Sequence, residues 1–192
     1  MNKNAGAYFN SHEMVLQEFL ELDMKTSLKT YDFGNKRAKY SQNTTSKYAI
    51  NRIVKSEKPT RVSEIHYRCK NGDGHLVAIM LVFSDGTTSD FIEDKFFADQ
   101  SGPVRKIQLD PTKKIKEIEM SAEKYLIYGL TIRYRALLGE VTERFSSRYS
   151  ARETTVRHEI ENESYIVDVK TDSDFWRLGF VCYSPKQEQK KK

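Results

Sequence analysis

Leu76-Val77-Ala78-Ile79-Met80-Leu81-Val82-Phe83, closed by Ser84-Asp85-Gly86-Thr87-Thr88, is the stretch on which the fold turns. Eight apolar residues, several β-branched or aromatic, stop at a turn-forming Ser-Asp-Gly. That reads as a buried strand and is too short for a core helix. Asn71-Gly72-Asp73-Gly74 lies just upstream, and these residues tolerate positive φ. Before them Val62-Ser63-Glu64-Ile65-His66-Tyr67 alternates apolar with polar, so the three segments spell a β-hairpin.

The same phrase recurs twice. Ile115 to Met120, a turn, then Ile127 to Tyr134 is the second copy; Tyr165 to Lys170, a turn containing Asp172-Ser173-Asp174, then Phe175 to Cys182 is the third. Aligning the second strands superposes Ile79, Leu130 and Leu178, which lie 51 and 48 residues apart. The next inward positions are Leu81, Ile132 and Phe180, then Phe83, Tyr134 and Cys182. A near-constant period of this length marks a repeat architecture whose units bury their apolar faces only together. Val104 to Leu109 and Thr155 to Ile160 are shorter strands that precede the second and third hairpins. Three small sheets around one core are expected.

A hairpin ending in Leu-x-Ala-Ile-x-Leu-x-Phe-Ser-Asp-Gly-Thr-Thr, three such repeats and a terminal Leu178-Gly179-Phe180 resemble a jacalin-type lectin domain. The resemblance covers residues 60–184. It implies an all-β fold, a threefold β-prism of Greek-key sheets, and a sugar site in the last hairpin. There the family carries Gly-x-x-x-Asp, whose amides and carboxylate hold sugar hydroxyls. The matching positions here are Asp172 and Trp176, so the motif is absent. Asp174 offers another carboxylate. Trp176 either stacks on a sugar face or, by its alternation with Leu178, belongs to a core or interface.

Outside the prism, charge is the main signal. The 192 residues carry a net +5, with 31% charged and 11% aromatic residues. That aromatic content argues against disorder of the whole chain. From Lys25 to Arg61 ten cations face only Asp32 and Glu57, a segment of +8, and Lys186 to Lys192 adds +3. Residues 1–24 and 62–185 are each slightly acidic. Ser11 to Leu28 has helical spacing, with Val15, Phe19 and Leu22 on one stripe. The expected organisation is an arm over 1–60 with a helix at 11–28, a prism over 61–184 and a basic tail over 185–192.

These features favour a non-enzymatic scaffold. Its arm would dock on an acidic surface such as a microtubule, in a cytoskeletal or ciliary setting. Phe19, Leu22, Lys36, Arg37, Lys39, Tyr40, Lys47 and Arg52 are the candidate partner-binding residues. The alternative is a lectin using Asp172, Asp174 and Trp176. A third reading is nucleic-acid binding, with Tyr31, Phe33 and Tyr40 stacking between basic residues. His12, His66, His75 and His158 show no metal spacing, no nucleophile motif is present, and no cofactor is called for. Asp90 and Glu93-Asp94 read as a loop or short edge strand between sheets rather than a catalytic carboxylate pair. Cys69 and Cys182 cannot build a disulfide framework and read as inert strand residues. With no apolar leader in Met1 to Asn10, a cytoplasmic location is expected, without a membrane span.

Overall fold

Period-two alternation builds every sheet of this protein. In chain order the strands are β1 (Leu28–Gly34), β2 (Gln42–Asn43), β3 (Val62–Cys69), β4 (Leu76–Phe83), β5 (Ile92–Glu93), β6 (Arg105–Gln108), β7 (Lys114–Glu123), β8 (Leu126–Arg135), β9 (Val141–Ser146), β10 (Thr154–Glu159), β11 (Tyr165–Thr171) and β12 (Arg177–Tyr183). The computed structural model describes residues 28–40, 42–43, 60–135, 141–146, 154–161 and 163–184. Three four-stranded sheets result, with strand orders β5-β4-β3-β6, β10-β7-β8-β9 and β1-β12-β11-β2. Each has one hairpin at its centre and two outer strands, the Greek-key arrangement expected from the repeat.

The three sheets face one core. The aligned trios are all inside: Ile79, Leu130 and Leu178, then Leu81, Ile132 and Phe180, then Phe83, Tyr134 and Cys182 belong to a single buried cluster. Burying side chains of this size contributes roughly 1.5–3 kcal/mol each. Asp90 precedes the short edge strand β5, which Glu93 ends. Cys182 is fully buried, and burial pushes its thiol up to about 12; Cys69 is pushed up to about 11 by the same cause.

The third sheet corrects the expected boundary. Its hairpin, β11–β12, takes both outer strands from the N-terminal side of the chain. β1 pairs antiparallel along β12 from Leu28↔Tyr183 to Gly34↔Arg177, and β2 pairs with Lys170 and Thr171 of β11. Leu28 was expected to end a helix and instead opens a strand. Tyr31 and Phe33 were expected on the arm, yet they are 4% and 2% exposed in the core. Residues 28–34 and 42–43 therefore pair within the prism, outside the expected range of 61–184. The reason is that β1 alternates correctly but presents only two inward aromatics among Lys29, Thr30 and Asp32. Residues 11–27 of the expected helix, with Phe19 and Leu22, lie outside the described residues, as do Lys47, Arg52 and the tail 185–192.

Two hairpin tips hold non-glycine residues with positive φ. Lys124, at +57°, opens the two-residue turn between Glu123 and Leu126. Phe175, at +54°, sits in the β11–β12 loop with its ring 2% exposed. The left-handed conformation costs roughly 1–2 kcal/mol for a residue with a Cβ. At exposed Lys124 nothing apolar offsets that cost, whereas the buried Phe175 ring does. The two positions should therefore respond oppositely in urea unfolding. Lys124→Gly should raise stability by about 0.5–1 kcal/mol, the relief being partly cancelled by glycine's entropy. Phe175→Ala should lower it by about 3–5 kcal/mol. A loss on Lys124→Gly would mean that its side chain braces the turn.

Candidate binding site at the hairpin end

Because the three hairpins superpose, their tips converge on one end of the prism. The contacts between tips are specific. The Tyr128 hydroxyl on β8 donates to Asp73 Oδ1 in the β3–β4 turn at 3.0 Å. The Lys95 amide, after β5, donates to the Ser173 carbonyl in the β11–β12 loop at 3.3 Å. The Asn35 amide, just past β1, donates to the Trp176 carbonyl at 2.8 Å. That last approach is so close that a Cβ on Gly34 would collide with the Trp176 carbonyl oxygen, and Gly34 has φ +85°. Glycine is required where β1 leaves the sheet.

Trp176 faces outward, contrary to a core reading. The left-handed turn at Phe175 sends the Phe175 ring inward and leaves Trp176 39% exposed. Tyr125, at the β7–β8 tip, is 49% exposed, and its ring lies 5.4 Å from that of Trp176 at an interplanar angle of 31°. Beside this pair a groove of about 180 Å³ runs between the edges β1 and β10. It is lined by Phe33, Gly34, Asn35, Met120, Ala122, Lys124, Tyr125, Thr154 and Val156. An apolar floor with polar groups at its rim is the ordinary composition of a ligand groove.

The two carboxylates flagged in this loop have different fates. Asp172 is buried, and its Oδ1 accepts the Arg177 amide at 2.9 Å. Burial holds its carboxyl above the usual range, against the pull of that hydrogen bond. It closes the loop from inside and does not face a ligand. Asp174 is half-exposed and accepts the Ser173 hydroxyl at 2.8 Å. A second acidic feature is Asp73, which holds the buried His75 through Nδ1 at 3.0 Å. Burial opposes its ionisation, but the bonds from Tyr128 and His75 leave its pKa below the ordinary value. No nucleophile completes this pair: His75 packs its ring edge-on against Phe97 and Tyr128, and its Nε2 meets no hydrogen-bond partner among the described residues. The described residues also contain no cluster of three metal-ligating side chains.

The basic loop after β1 is brought to the same end. Lys36, Arg37 and Lys39 are exposed there. Tyr40 is not available to a partner. The Arg177 guanidinium lies 4.1 Å from its ring centroid, its hydroxyl donates to Asp32, and it covers Gly179. Tyr31 and Phe33 are buried, so the three aromatics on which nucleic-acid stacking was expected all pack on the prism, and that reading is corrected. The residues missed by sequence reasoning are Tyr125, Lys124 and Asn35. Their signal was positional: equal repeats put the Glu123–Leu126 turn at the same end as the Asp172–Trp176 loop.

No family model matches the sequence, and no curated protein matches it. Solved structures do match the fold. Recombinant single-chain jacalin superposes with a TM-score of 0.54 at 17% identity, covering 82% of this chain and 93% of that one. The agglutinin of Calystegia sepium gives 0.53 at 10% identity, with 82% and 96% covered. A mannose-specific jacalin-related lectin from Morus nigra, solved with mannose, gives 0.52 at 15% identity, with 82% and 96% covered. These neighbours overturn the expectation of a cytoskeletal scaffold docked by its arm. They are agglutinins and lectins, and part of the supposed arm is a strand of the prism. The fold is a jacalin-like β-prism.

Proposed function

We propose that this chain is a non-enzymatic carbohydrate-binding domain whose site is the hairpin end. The observation that carries this reading is the exposed Tyr125–Trp176 pair beside the groove. A pyranose ring has an apolar C–H face and a polar rim of hydroxyls. Two large exposed rings in contact give the C–H face a surface to cover. Asn35, Thr154 and Lys124 supply polar groups at the groove rim. The lectin-type fold of the neighbours supports the reading, and the mannose-bound lectin supports a sugar as the class of ligand.

The mode differs from the one the resemblance implies. The position of the family's glycine holds Asp172, which is turned into the loop, and the position of its aspartate holds Trp176, which is turned out. Recognition here rests on stacking with peripheral hydrogen bonds, and not on a loop carboxylate. Calorimetric titration with oligosaccharides selected on a glycan array tests it. Trp176→Ala should weaken binding by at least roughly tenfold, as for a central aromatic anchor, and Tyr125→Ala by a smaller factor. Both variants should unfold within about 0.5 kcal/mol of the parent, because both rings are half-exposed. Unchanged affinity in Trp176→Ala would reject the site.

A further inference from the structure

We infer that the carbohydrate taken at this end is anionic, bearing sulfate or carboxylate groups; the inference rests on the carbohydrate reading above and specifies its ligand. Four cations lie on the loops that adjoin the aromatic pair: Lys36, Arg37 and Lys39 on the loop after β1, whose Asn35 amide bonds the Trp176 carbonyl, and Lys124 beside Tyr125 at the β7–β8 tip. All four side chains are exposed, and none is paired with a carboxylate among the described residues. Elsewhere several cations are paired with carboxylates: Lys29 with Glu161 at 2.6 Å, Lys106 with Glu64 at 3.2 Å, Lys113 with Asp110 at 3.0 Å and Arg157 with Glu119 at 2.5 Å.

The four cations are also held in place. Asn35 anchors the loop, since its amide is bonded to the Trp176 carbonyl. Its Oδ1 accepts the Arg37 amide and its carbonyl accepts the Ala38 amide, each at 3.0 Å. This turn fixes Lys36 and Arg37 next to Trp176 before any ligand arrives, which lowers the entropic cost of binding. Lys124 lines the groove itself, in a left-handed conformation where a two-residue hairpin ordinarily takes glycine. A strained backbone that carries a lysine into a groove is the signature of a residue kept for its side chain. The opposing acids are few. Glu123 is half-buried, Asp174 is engaged by Ser173, Asp172 is buried, Asp73 is held by Tyr128 and His75, and Asp32 is taken by Arg177 and Tyr40. The excess charge facing outward is positive.

The geometry suggests the division of labour. A sugar ring lies on Trp176 and Tyr125, while its sulfate or carboxylate substituents reach the lysines and arginine around it. Hydrogen bonds to charged groups contribute roughly tenfold in affinity per contact. Long-range attraction among exposed charges is screened within about 10 Å at 0.1 M salt and about 3 Å at 1 M.

The test titrates the full chain with a heparin-derived hexasaccharide, its desulfated counterpart and a sialylated oligosaccharide with its asialo form, at low and high salt. The parent should bind each charged form at least roughly tenfold more tightly than its neutral partner at low salt, and the preference should shrink as salt screens the contacts. The triple change Lys36→Gln, Arg37→Gln and Lys39→Gln should reduce the preference while leaving neutral-sugar binding in place, and adding Lys124→Gly, which keeps the turn, should reduce the preference further. Preference for the sulfated arm over the sialylated one would identify sulfate as the group recognised, and the reverse would identify carboxylate. Equal affinity for charged and neutral forms overturns the inference while leaving the carbohydrate reading standing. A preference that survives all four substitutions also overturns it. Binding to no glycan, charged or neutral, overturns both. Binding to phosphatidylserine vesicles without any glycan binding overturns both in favour of a membrane surface.

Discussion

The pairing of β1 with β12 is the constraint on which this structure depends. Three repeats supply three hairpins, but after the last one the described chain offers no further strands. Without β1, one edge of β12 and one side of the core would stand open. Seven register pairs from Leu28↔Tyr183 to Gly34↔Arg177 close that edge. Tyr31 and Phe33 fill the core side, and Phe33 meets Phe180 edge-on with ring centroids 6.1 Å apart. The same strand is tied to the second sheet: His158 Nε2 lies 2.7 Å from the Asp32 carbonyl, and the Glu161 amide donates to the Tyr31 hydroxyl at 3.4 Å. Closing the prism and building the site are one event, because Gly34 and Asn35 at the end of β1 form one wall of the groove.

Much of this was legible in the sequence, and the limits have physical causes. The trios headed by Ile79, Leu130 and Leu178 sit on long, purely apolar or cleanly alternating strands, so period and register were readable together. Tyr31 and Phe33 gave only two inward positions, embedded among charges, and a long-range pairing with residue 180 leaves no local trace. The outward turn of Trp176 was hidden for a different reason. Simple alternation with Leu178 points it inward, but β12 begins only at Arg177, and Trp176 belongs to the bend that follows the positive φ of Phe175. No composition rule announces a left-handed phenylalanine. The repeat places the Tyr125 turn at the same end as Trp176, but the contact between the two rings forms only once the prism has closed.

The β11–β12 loop has a consistent physical account. The Asp172 carboxylate accepts the Arg177 amide and stiffens the loop from inside. Trp176 presents an apolar surface at its outer side. The Arg177 side chain completes this frame: it stacks on Tyr40, pairs with Asp32 at 3.2 Å and donates to the Ala38 carbonyl at 2.9 Å, fixing the basic loop over β12. Loop order, aromatic exposure and charge placement thus share one set of contacts.

Trp176 is the chain's single tryptophan, so its fluorescence reports on this site alone. The most direct measurement is therefore the tryptophan emission of the full chain during titration with an oligosaccharide ligand. The account predicts a saturable change in intensity or wavelength as the sugar covers the indole, with a midpoint that matches the calorimetric affinity. Calorimetric binding that leaves the emission unaltered would place the ligand elsewhere and contradict the account.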